Sequence, residues 1–354
     1  MRVLGIESSC DETALAIVSA KPCIELNKIY SQTKEHAHFG GVVPELAARA
    51  HIDKLPLMVK DLPLDTLDAI AATTGPGLIG GLHIGYGFGR ALALALNIPF
   101  YPIHHLEAHA LTVRLTDQID FPYLLLLISG GHTQIIDVQD FRKYKLLGET
   151  RDDSCGEVFD KTAKLLGLGF PGGPAIEQAA LSGNPLSCTL PCPFYRQPHC
   201  DFSFSGLKTA IRELLSSSTR AKPAIEDPLT LSQSRCPNIK FEDPVTSQEI
   251  GPRSRASPLS RMTTVEVADL CASIQHTISK ILIDRLTQAL KIAPHKQIVI
   301  AGGVAANQYI RAQLSMFCEM QDNTLIVPPV KLCTDNAAMI AWTALEMMQR
   351  NINP

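Results

Sequence analysis

The sequence predicts an α/β protein made of two similar lobes with a cleft between them. A strand, a polar or glycine-rich turn and a second strand occur at residues 3–18 and again at residues 123–138. Segments of helical periodicity follow each pair, and units of this kind pack helices on a sheet and leave a cleft between the halves. We expect one lobe over residues 1–120 and the other over residues 121–334. A final helix at 335–350 is expected to return to the first lobe.

The individual elements follow from the apolar patterns. In the first half these patterns predict strands at 3–6, 14–18, 24–30, 69–73 and 100–103. They also predict three helices: one over 44–55, one that ends near 96, and one that begins at 104 or 105. In the second half they predict strands at 123–128, 134–138, 298–301 and 325–327, with helices over 156–166, 175–180, 265–293 and 336–349. Residues 216–260 are rich in Ser, Pro and charges of both signs and lack apolar periodicity. That composition predicts a disordered insertion that carries no chemistry.

The composition narrows the class of protein. The chain has 354 residues, 45 % of them hydrophobic and 19 % charged, which is an ordinary balance for a globular protein. The formal net charge of −3 gives no global basic field, although a local basic patch can still bind nucleic acid. No basic leader precedes the first strand, and the apolar run at 123–128 is far too short to cross a bilayer. We therefore expect a soluble, cytoplasmic protein.

The ten cysteines are scattered along the chain and do not form the pattern of a secreted disulfide framework. We interpret them as reduced cytosolic thiols. Cys188, Cys192 and Cys200 have a loose metal-like spacing but no second CxxC partner. A zinc site at these three residues is the alternative.

His105 and His109 are four positions apart at the start of a predicted helix. Residues at this spacing share a helix face, so both imidazoles can bind one metal ion. The alternative is a pair of polar residues on an amphipathic helix. The zincin protease signature needs Glu directly after the first His, and Leu106 occupies that position. The spacing therefore disfavours a metalloprotease of that class.

Asp335 stands at the start of the last predicted helix. Taken alone, this position favours an N-cap, which Asp fills well. The other interpretation is a carboxylate ligand from a distant segment. Two His and one carboxylate leave coordination positions open for a substrate.

Three glycine turns, at residues 129–133, 170–174 and 301–304, can hold phosphate through backbone N–H groups. Each is weak evidence alone, because tight turns need glycine anyway. Gly85, Gly87 and Gly89 lie within a helix-like run, so close packing explains them better than a nucleotide fingerprint. The chain has no Walker A sequence.

Residues 151–160 concentrate four carboxylates beside a predicted helix start. First-turn acids stabilise the helix dipole, which is the structural explanation. Asp160 lies beyond that turn and gains little from the dipole, which favours a functional role for it.

Taken together, these segments resemble the TsaD family of threonylcarbamoyl transferases. The matching segments are GIESSCDET at 5–13, GGVVPELA at 40–47, GPGL at 75–78, HHLEAH at 104–109, SGGHTQ at 129–134, GEVFDK at 156–161, FPGGP at 170–174, FSFSGLK at 202–208, GGVAAN at 302–307 and TDNAA at 334–338. They occur in the family's order and cover nearly the whole chain outside 216–260. The resemblance implies the actin/Hsp70/sugar-kinase (ASKHA) fold.

The resemblance also implies roles for particular residues. It implies metal ligands at His105, His109 and Asp335, and it puts Asp11 and Glu12 near the reacting group. The residues implied to contact the nucleotide-bearing substrate are Leu127, Ile128, Ser129, Gly130, Gly131, Asp160, Gly173, Glu177 and Asn307. Leu127 stands where archaeal and eukaryotic cytosolic relatives carry a Tyr ligand, which indicates the bacterial or the organellar branch; of the two we favour the bacterial. Arg90 and His38 depart from the residues usual in the family.

The implied activity is transfer of a threonylcarbamoyl group from threonylcarbamoyl-AMP to N6 of adenosine 37, in tRNAs that read codons beginning with adenine. The implied cofactor is one divalent metal, Fe²⁺ or, as the alternative, Zn²⁺. The implied partners are tRNA, a TsaB-like paralogue and a TsaE-like ATPase. The rival hypotheses are a metal-dependent peptidase, a kinase or ATPase on the same fold, and a non-catalytic scaffold.

Overall fold

The computed structural model describes residues 1–117, 119–217 and 263–354. In these residues the strands form two five-stranded mixed sheets. The predicted insertion at 216–260 lies outside the described residues, apart from its first two positions, which end a helix. None of the helices in the described ranges combines the length and apolarity needed to cross a bilayer.

The first sheet has the strand order β3-β2-β1-β4-β5. Its strands are β1 (Arg2–Glu7), β2 (Glu12–Ser19), β3 (Cys23–Ser31), β4 (Ala69–Gly75) and β5 (Phe100–His104). Strand β1 lies at the centre and is buried from its second residue to its last, as expected for a strand covered on both faces. It pairs antiparallel with β2 and parallel with β4.

The second sheet repeats this arrangement, with the order β10-β9-β6-β7-β8. Its strands are β6 (Tyr123–Ile128), β7 (Thr133–Asp140), β8 (Lys143–Glu149), β9 (Gln297–Ala301) and β10 (Thr324–Ile326). The central strand β6 pairs antiparallel with β7 and parallel with β9, as β1 does with β2 and β4. The predicted fold class, two similar α/β units, is confirmed. The lobe boundaries at 120 and 334 stay a prediction.

Helices cover the sheets. They are α1 (Thr33–His36), α2 (Pro44–Val59), α3 (Ile79–Leu96), α4 (His105–Thr116), α5 (Cys155–Leu166), α6 (Gly172–Ala180), α7 (Ser205–Ser217), α8 (Thr264–Ile292), α9 (Gln308–Met320), α10 (Val330–Cys333) and α11 (Ala337–Gln349). The apolar patterns do not predict β8, because this edge strand is mostly exposed and lacks alternation. They also do not predict α7 or α9.

The last helix joins the far end of the chain to the first sheet. Helix α11 is buried from Ala337 to Met347 and packs against β1, β2 and α4. An apolar helix that is buried on all sides belongs to the interior of a protein. This packing brings the residues just before α11 beside the first turn of α4.

Candidate active site and metal centre

Two pairs of parallel strands end beside one cavity. In the first sheet, β1 ends at Glu7 and β5 ends at His104, on either side of the parallel strand β4. In the second sheet, the parallel strands β6 and β9 end at Ile128 and Ala301. Ligands commonly bind outside the carboxyl ends of such strands. Segments that follow all four strands line a cavity of about 600 Å³, which is the size of a ligand site.

Most of the residues predicted for the site line this cavity. Its wall includes Ser9, Asp11, Glu12, His105, Ser129, Gly130, Gly131, His132, Asp160, Gly173, Glu177, Asn307, Thr334 and Asp335. The side chains of Leu127 and Ile128 do not reach it, since both are fully buried within β6. His109 lies behind His105 and is buried.

His105, His109 and Asp335 form a compact cluster. The two rings lie 4.7 Å apart between centroids, one turn apart on α4. Asp335 Oδ1 lies 3.4 Å from His105 Nε2 and 3.1 Å from His109 Nε2. One ligand atom from each residue lies within 4.8 Å of the other two. Two imidazoles and one carboxylate are a donor set used by catalytic zinc and non-haem iron.

The surroundings of this cluster fit a cation. His109 Nδ1 is buried and has no hydrogen-bond partner in the described part of the chain. Burial lowers the pKa of His105, but the charges of Asp335 and Glu7 outweigh that effect and raise it well above its ordinary value. Burial likewise raises the pKa of Asp335, but the two imidazoles outweigh it and hold the pKa far below its ordinary range. The site therefore favours positive charge between Glu7, which is buried, and Asp335, which is half-buried.

Asp335 is not the N-cap of the last helix. Helix α11 begins at Ala337, and Asn336 is its cap, with the Asn336 side chain accepting the N–H of Met339 at 3.1 Å. The interpretation of Asp335 as a cap, favoured from the position alone, is therefore wrong. The carboxylate is free to face the two histidines because its neighbour satisfies the helix end.

The turn after β6 is fixed by its own hydrogen bonds. The Ser129 N–H donates to the His132 carbonyl at 2.8 Å, and the His132 N–H donates to Ser129 Oγ at 3.0 Å. The start of α5 packs closely on this turn, since a Cβ at Gly156 would lie 2.6 Å from the Ser129 carbonyl oxygen. In contrast, a Cβ at Gly130 or Gly131 would meet nothing within 4 Å, so both glycines border open space in the cavity.

Other predicted substrate residues lie on the far wall. Asp160 Oδ1 accepts the N–H of Gly172 at 2.7 Å, at the start of α6, and burial is the largest cause of its raised pKa. Asn307 caps α9 by accepting the N–H of Ile310 at 2.9 Å. Glu177 Oε1 accepts the N–H of Gln308 at 2.7 Å. All three side chains thus stabilise the start of a helix as well as bordering the cavity.

Asp11, in the loop between β1 and β2, and Glu12, the first residue of β2, both border the cavity. Burial, followed by the charges of Asp11 and Asp335, raises the pKa of Glu12 well above its ordinary value. His51 on α2 supports the loop, because its Nε2 lies 3.0 Å from the Cys10 carbonyl oxygen and its Nδ1 lies 2.8 Å from Thr13 Oγ1.

Sequence reasoning missed two residues beside the cluster. Glu7 is fully buried at the end of β1, with Oε2 at 3.1 Å from His105 Nδ1. A charged residue that ends an otherwise apolar strand was the available signal. His132 lines the cavity and was noted only as part of the glycine turn. Burial, followed by the nearby charges of His105 and His109, lowers its pKa.

Glu107, the acid within the HHLEAH segment, does not serve the cluster. Its Oε1 lies 3.3 Å from Arg142 Nε and accepts the hydroxyl of Tyr144 at 3.2 Å. Among the described residues, His105, His109 and Asp335 are also the one group of three or more His, Cys, Asp or Glu side chains close enough to share a metal ion. The alternative zinc site at Cys188, Cys192 and Cys200 is therefore not formed within the described ranges.

The sequence comparisons decide the family. The profile of "TsaD: tRNA N6-adenosine threonylcarbamoyltransferase" matches residues 24–342. The chain belongs to this family. The tRNA N6-adenosine threonylcarbamoyltransferase of Chelativorans sp. (strain BNC1) is 45 % identical over 368 residues, which cover 99 % of this chain and 90 % of the relative. The enzyme of that name from Brucella anthropi is 46 % identical over 363 residues, which cover 98 % and 90 %.

Solved structures support the fold alone. The activator of the 2-hydroxyisocaproyl-CoA dehydratase from Clostridium difficile, with bound ADPNP, matches with a TM-score of 0.51 and 13 % identity, over 100 % of this chain and 99 % of that one. HypF from T. kodakarensis matches with a TM-score of 0.56 and 13 % identity, over 100 % of this chain and 48 % of that one.

The predicted family, its bacterial branch and the class of enzyme, an acyltransferase, are confirmed. The comparisons favour neither a peptidase nor a kinase. The described residues also contain a His–His–Asp set that can hold a metal ion, as predicted, while the identity of the metal stays a prediction.

Proposed function

We propose that this chain transfers the threonylcarbamoyl group of threonylcarbamoyl-AMP to N6 of adenosine 37, in tRNAs that read codons beginning with adenine. The observation that carries the proposal is the single cavity that joins the His105–His109–Asp335 cluster, the acids Asp11 and Glu12, and glycine turns. These are the parts that acyl transfer from an adenylate to a weak amine requires: an anion site, an electrophilic site and a base.

The glycine turns hold the adenylate end of the donor in this proposal. The N–H groups of Gly130 and Gly131 donate to no backbone acceptor among the described residues, so they are free to bind phosphate oxygens. The starts of α6 and α9, near Gly173 and Asn307, lie on the opposite wall. Asp160 and Glu177 border this part of the cavity and would accept hydrogen bonds from ribose hydroxyls.

His105, His109 and Asp335 would hold one divalent ion, Fe²⁺ by preference and Zn²⁺ as the alternative, which when bound supplies Lewis-acid polarisation of donor oxygens. The two-histidine, one-carboxylate donor set is compatible with either ion, and the preference for iron comes from the resemblance to the family. His105 and Asp335 line the same cavity as Asp11 and Glu12, so the carbamoyl end of a donor bound beside the cluster would lie near these two acids.

In the chemical step, N6 of the adenosine attacks the carbamoyl carbon and forms a C–N bond. The bond from that carbon to the phosphate oxygen breaks, and AMP leaves with the electron pair. The N6 proton passes to Asp11 or Glu12. Both carboxyl groups lie beside the cavity.

The tRNA would present the adenosine from a splayed anticodon loop, because RNA-binding sites read unpaired bases more readily than paired ones. We extend the proposal to a cytoplasmic enzyme that works with a TsaB-like paralogue and a TsaE-like ATPase. We also infer lobes at 1–120 and 121–334, with helix 335–350 belonging to the first lobe because α11 packs on β1 and β2.

The test is reconstitution of the chain with these partners, threonylcarbamoyl-AMP and unmodified tRNA, followed by mass spectrometry of nucleosides. The wild type should form threonylcarbamoyladenosine, and Asp335→Ala should abolish it. Asp322→Ala is the matched control, because Asp322 is exposed and pairs with Lys296. No product from the wild type, or undiminished product from Asp335→Ala, would overturn the proposal.

A further inference from the structure

Glu7 is a buried acid that the proposed mechanism does not use. It is fully buried at the end of β1, and both carboxylate oxygens are occupied. Oε1 accepts the N–H of Ser9 at 2.6 Å, and Oε2 accepts the hydroxyl of Thr73 at 2.5 Å. Oε2 also lies 3.1 Å from His105 Nδ1. Three donors therefore hold the Glu7 side chain in one orientation, aimed at the ring of a predicted metal ligand.

The contact with Glu7 decides which nitrogen of His105 carries a proton. An ionised carboxylate can only accept a hydrogen bond, so Nδ1 must be the protonated nitrogen. In the neutral imidazole, Nε2 then carries a lone pair, and it lies 3.4 Å from Asp335 Oδ1. These two acceptor atoms need a cation between them, either a second proton on Nε2 or a metal ion that binds both.

The charges near His105 lead to the same conclusion. Glu7 and Asp335 are two carboxylates on opposite sides of one ring. In the described part of the chain, their recorded ion pairs are with histidines, and neither pairs with Lys or Arg. Buried charges are costly unless they are compensated. A divalent ion at His105, His109 and Asp335 would compensate both.

We propose that Glu7 is a positioning residue for the metal centre. By accepting a hydrogen bond from the Nδ1–H of His105, it fixes the tautomer and ring orientation that present Nε2 to the ion. This inference rests on the metal site of the proposed function and concerns its affinity. Outer-sphere acids of this type typically contribute about 10- to 100-fold to metal affinity.

Glu7→Gln changes the hydrogen bonding at nearly constant volume. A Gln side chain has one acceptor oxygen and one NH₂ group, whereas three donors point at Glu7. If the NH₂ group faces His105, Nδ1 must accept and Nε2 becomes protonated, which blocks the metal. If it faces Ser9, two N–H groups oppose each other. Both arrangements weaken the site.

The test is titration of the metal-free full-length protein with Zn²⁺ in competition with a chromophoric chelator. We expect Glu7→Gln to weaken Zn²⁺ binding by about 10- to 100-fold. Glu107→Gln is the matched control, because Glu107 is a buried acid on the helix of both histidines that pairs with Arg142 and Tyr144 instead. It should bind Zn²⁺ as the wild type does. The Zn²⁺-induced rise in unfolding temperature should be smaller for Glu7→Gln and unchanged for Glu107→Gln.

A measurement on the wild type tests the inference without any variant. In the Zn²⁺-loaded protein with ¹⁵N-labelled histidine, the NMR spectrum of His105 should show a protonated Nδ1 and a metal-bound Nε2. A protonated Nε2, or equal Zn²⁺ affinity of Glu7→Gln and the wild type, would overturn the role of Glu7 and leave the transferase proposal intact. A wild type that binds no Zn²⁺, Fe²⁺ or Co²⁺ would overturn the metal centre together with this inference.

Discussion

Asp335 Oδ1 lies 3.1 Å from His109 Nε2, although 226 positions of sequence separate the two residues. The contact forms because α11 packs against α4 and the first sheet, and because Asn336 rather than Asp335 caps α11. A carboxylate that would ordinarily serve a helix end is therefore available to a metal ion. Several measurable consequences depend on this arrangement and on the loop that faces it.

Removal of one ligand should empty the metal centre. We expect Asp335→Ala and His109→Ala each to lower the metal content of the purified protein and to weaken Zn²⁺ binding by more than the roughly 10- to 100-fold of an outer-sphere change. Elemental analysis and chelator competition measure both quantities. Asp322→Ala, which alters an exposed acid paired with Lys296, should retain the wild-type metal content. Wild-type stoichiometry in Asp335→Ala would contradict the assignment of this ligand.

His51 should control the loop that carries Asp11 and leads into Glu12, the first residue of β2. His51→Ala leaves the Cys10 carbonyl and the Thr13 hydroxyl without their buried partner, so we expect a loss of about 2–4 kcal/mol in the free energy of unfolding. His51→Gln should lose less, because the Gln amide reaches the position of Nε2 and can still donate to Cys10. Denaturant unfolding measures the stability.

Steady-state kinetics with the donor then separate positioning from folding. In the variants that remain folded, kcat should be lower than in the wild type for His51→Gln and lower still for His51→Ala, because His51 supports the segment that supplies the proposed base. The KM for the donor should change little. His83→Ala, at an exposed histidine on α3, is the control and should match the wild type. Equal kcat in His51→Ala and the wild type would show that the loop does not need this support.

The glycines of α3 should divide into two groups. A Cβ at Gly81 would collide with the Ser8 carbonyl oxygen. Gly85 and Gly89 are also tightly packed, so the prediction of close packing is confirmed for Gly85 and Gly89. A Cβ at Gly87 meets nothing within 4 Å, so close packing does not explain that glycine. We expect Gly81→Ala to cost about 1–3 kcal/mol and Gly87→Ala to add about 0.5–1 kcal/mol to the free energy of unfolding. Thermal or denaturant unfolding of the pair measures the difference; a loss in both variants would be inconsistent with it.

Asp152 should stabilise the protein in a pH-dependent way. Its carboxylate accepts from the N–H groups of Phe204 and Ser205 and from the hydroxyls of Ser203 and Ser205, at 2.6–3.1 Å. Burial raises the pKa of Asp152, but these donors outweigh it and hold the pKa below the ordinary value of 3.8. The folded state therefore binds this proton less readily than the unfolded chain does. The resulting stability is present above the ordinary value and is lost as the pH falls through the lowered pKa.

Asp152→Asn tests this sign. At neutral pH we expect the variant to be less stable than the wild type by about 0.5–1 kcal/mol, because Asp152 is exposed to solvent, and the difference should shrink as the pH falls below about 3.8. Urea unfolding across this pH range measures it. Asp120→Asn, at an exposed acid, should show neither effect. A difference that stays constant with pH would exclude the carboxylate charge as its source.

Local patterns were sufficient for most of the regular elements. The fully apolar strand at 123–128 and the strand at 3–6 lie where their patterns predict them, because buried central strands need uninterrupted apolar residues. Strand β8, helices α7 and α9, and the short helices α1 and α10 were not predicted. The side chains of β8 are largely exposed at a sheet edge, so its residues carry little of the hydrophobic alternation that identifies a strand.

The amino-acid sequence by itself determined the family, through ordered motifs, and the pair of histidines, because an i, i+4 spacing fixes the relative position of two side chains within one helix. Only the tertiary structure decided what completes the site. Asp335 reaches His109 through the packing of α11 on α4, and Glu7 reaches His105 because β1 and β5 end at the same edge of one sheet. Neither contact follows from local spacing, since each depends on which elements the buried apolar faces bring together.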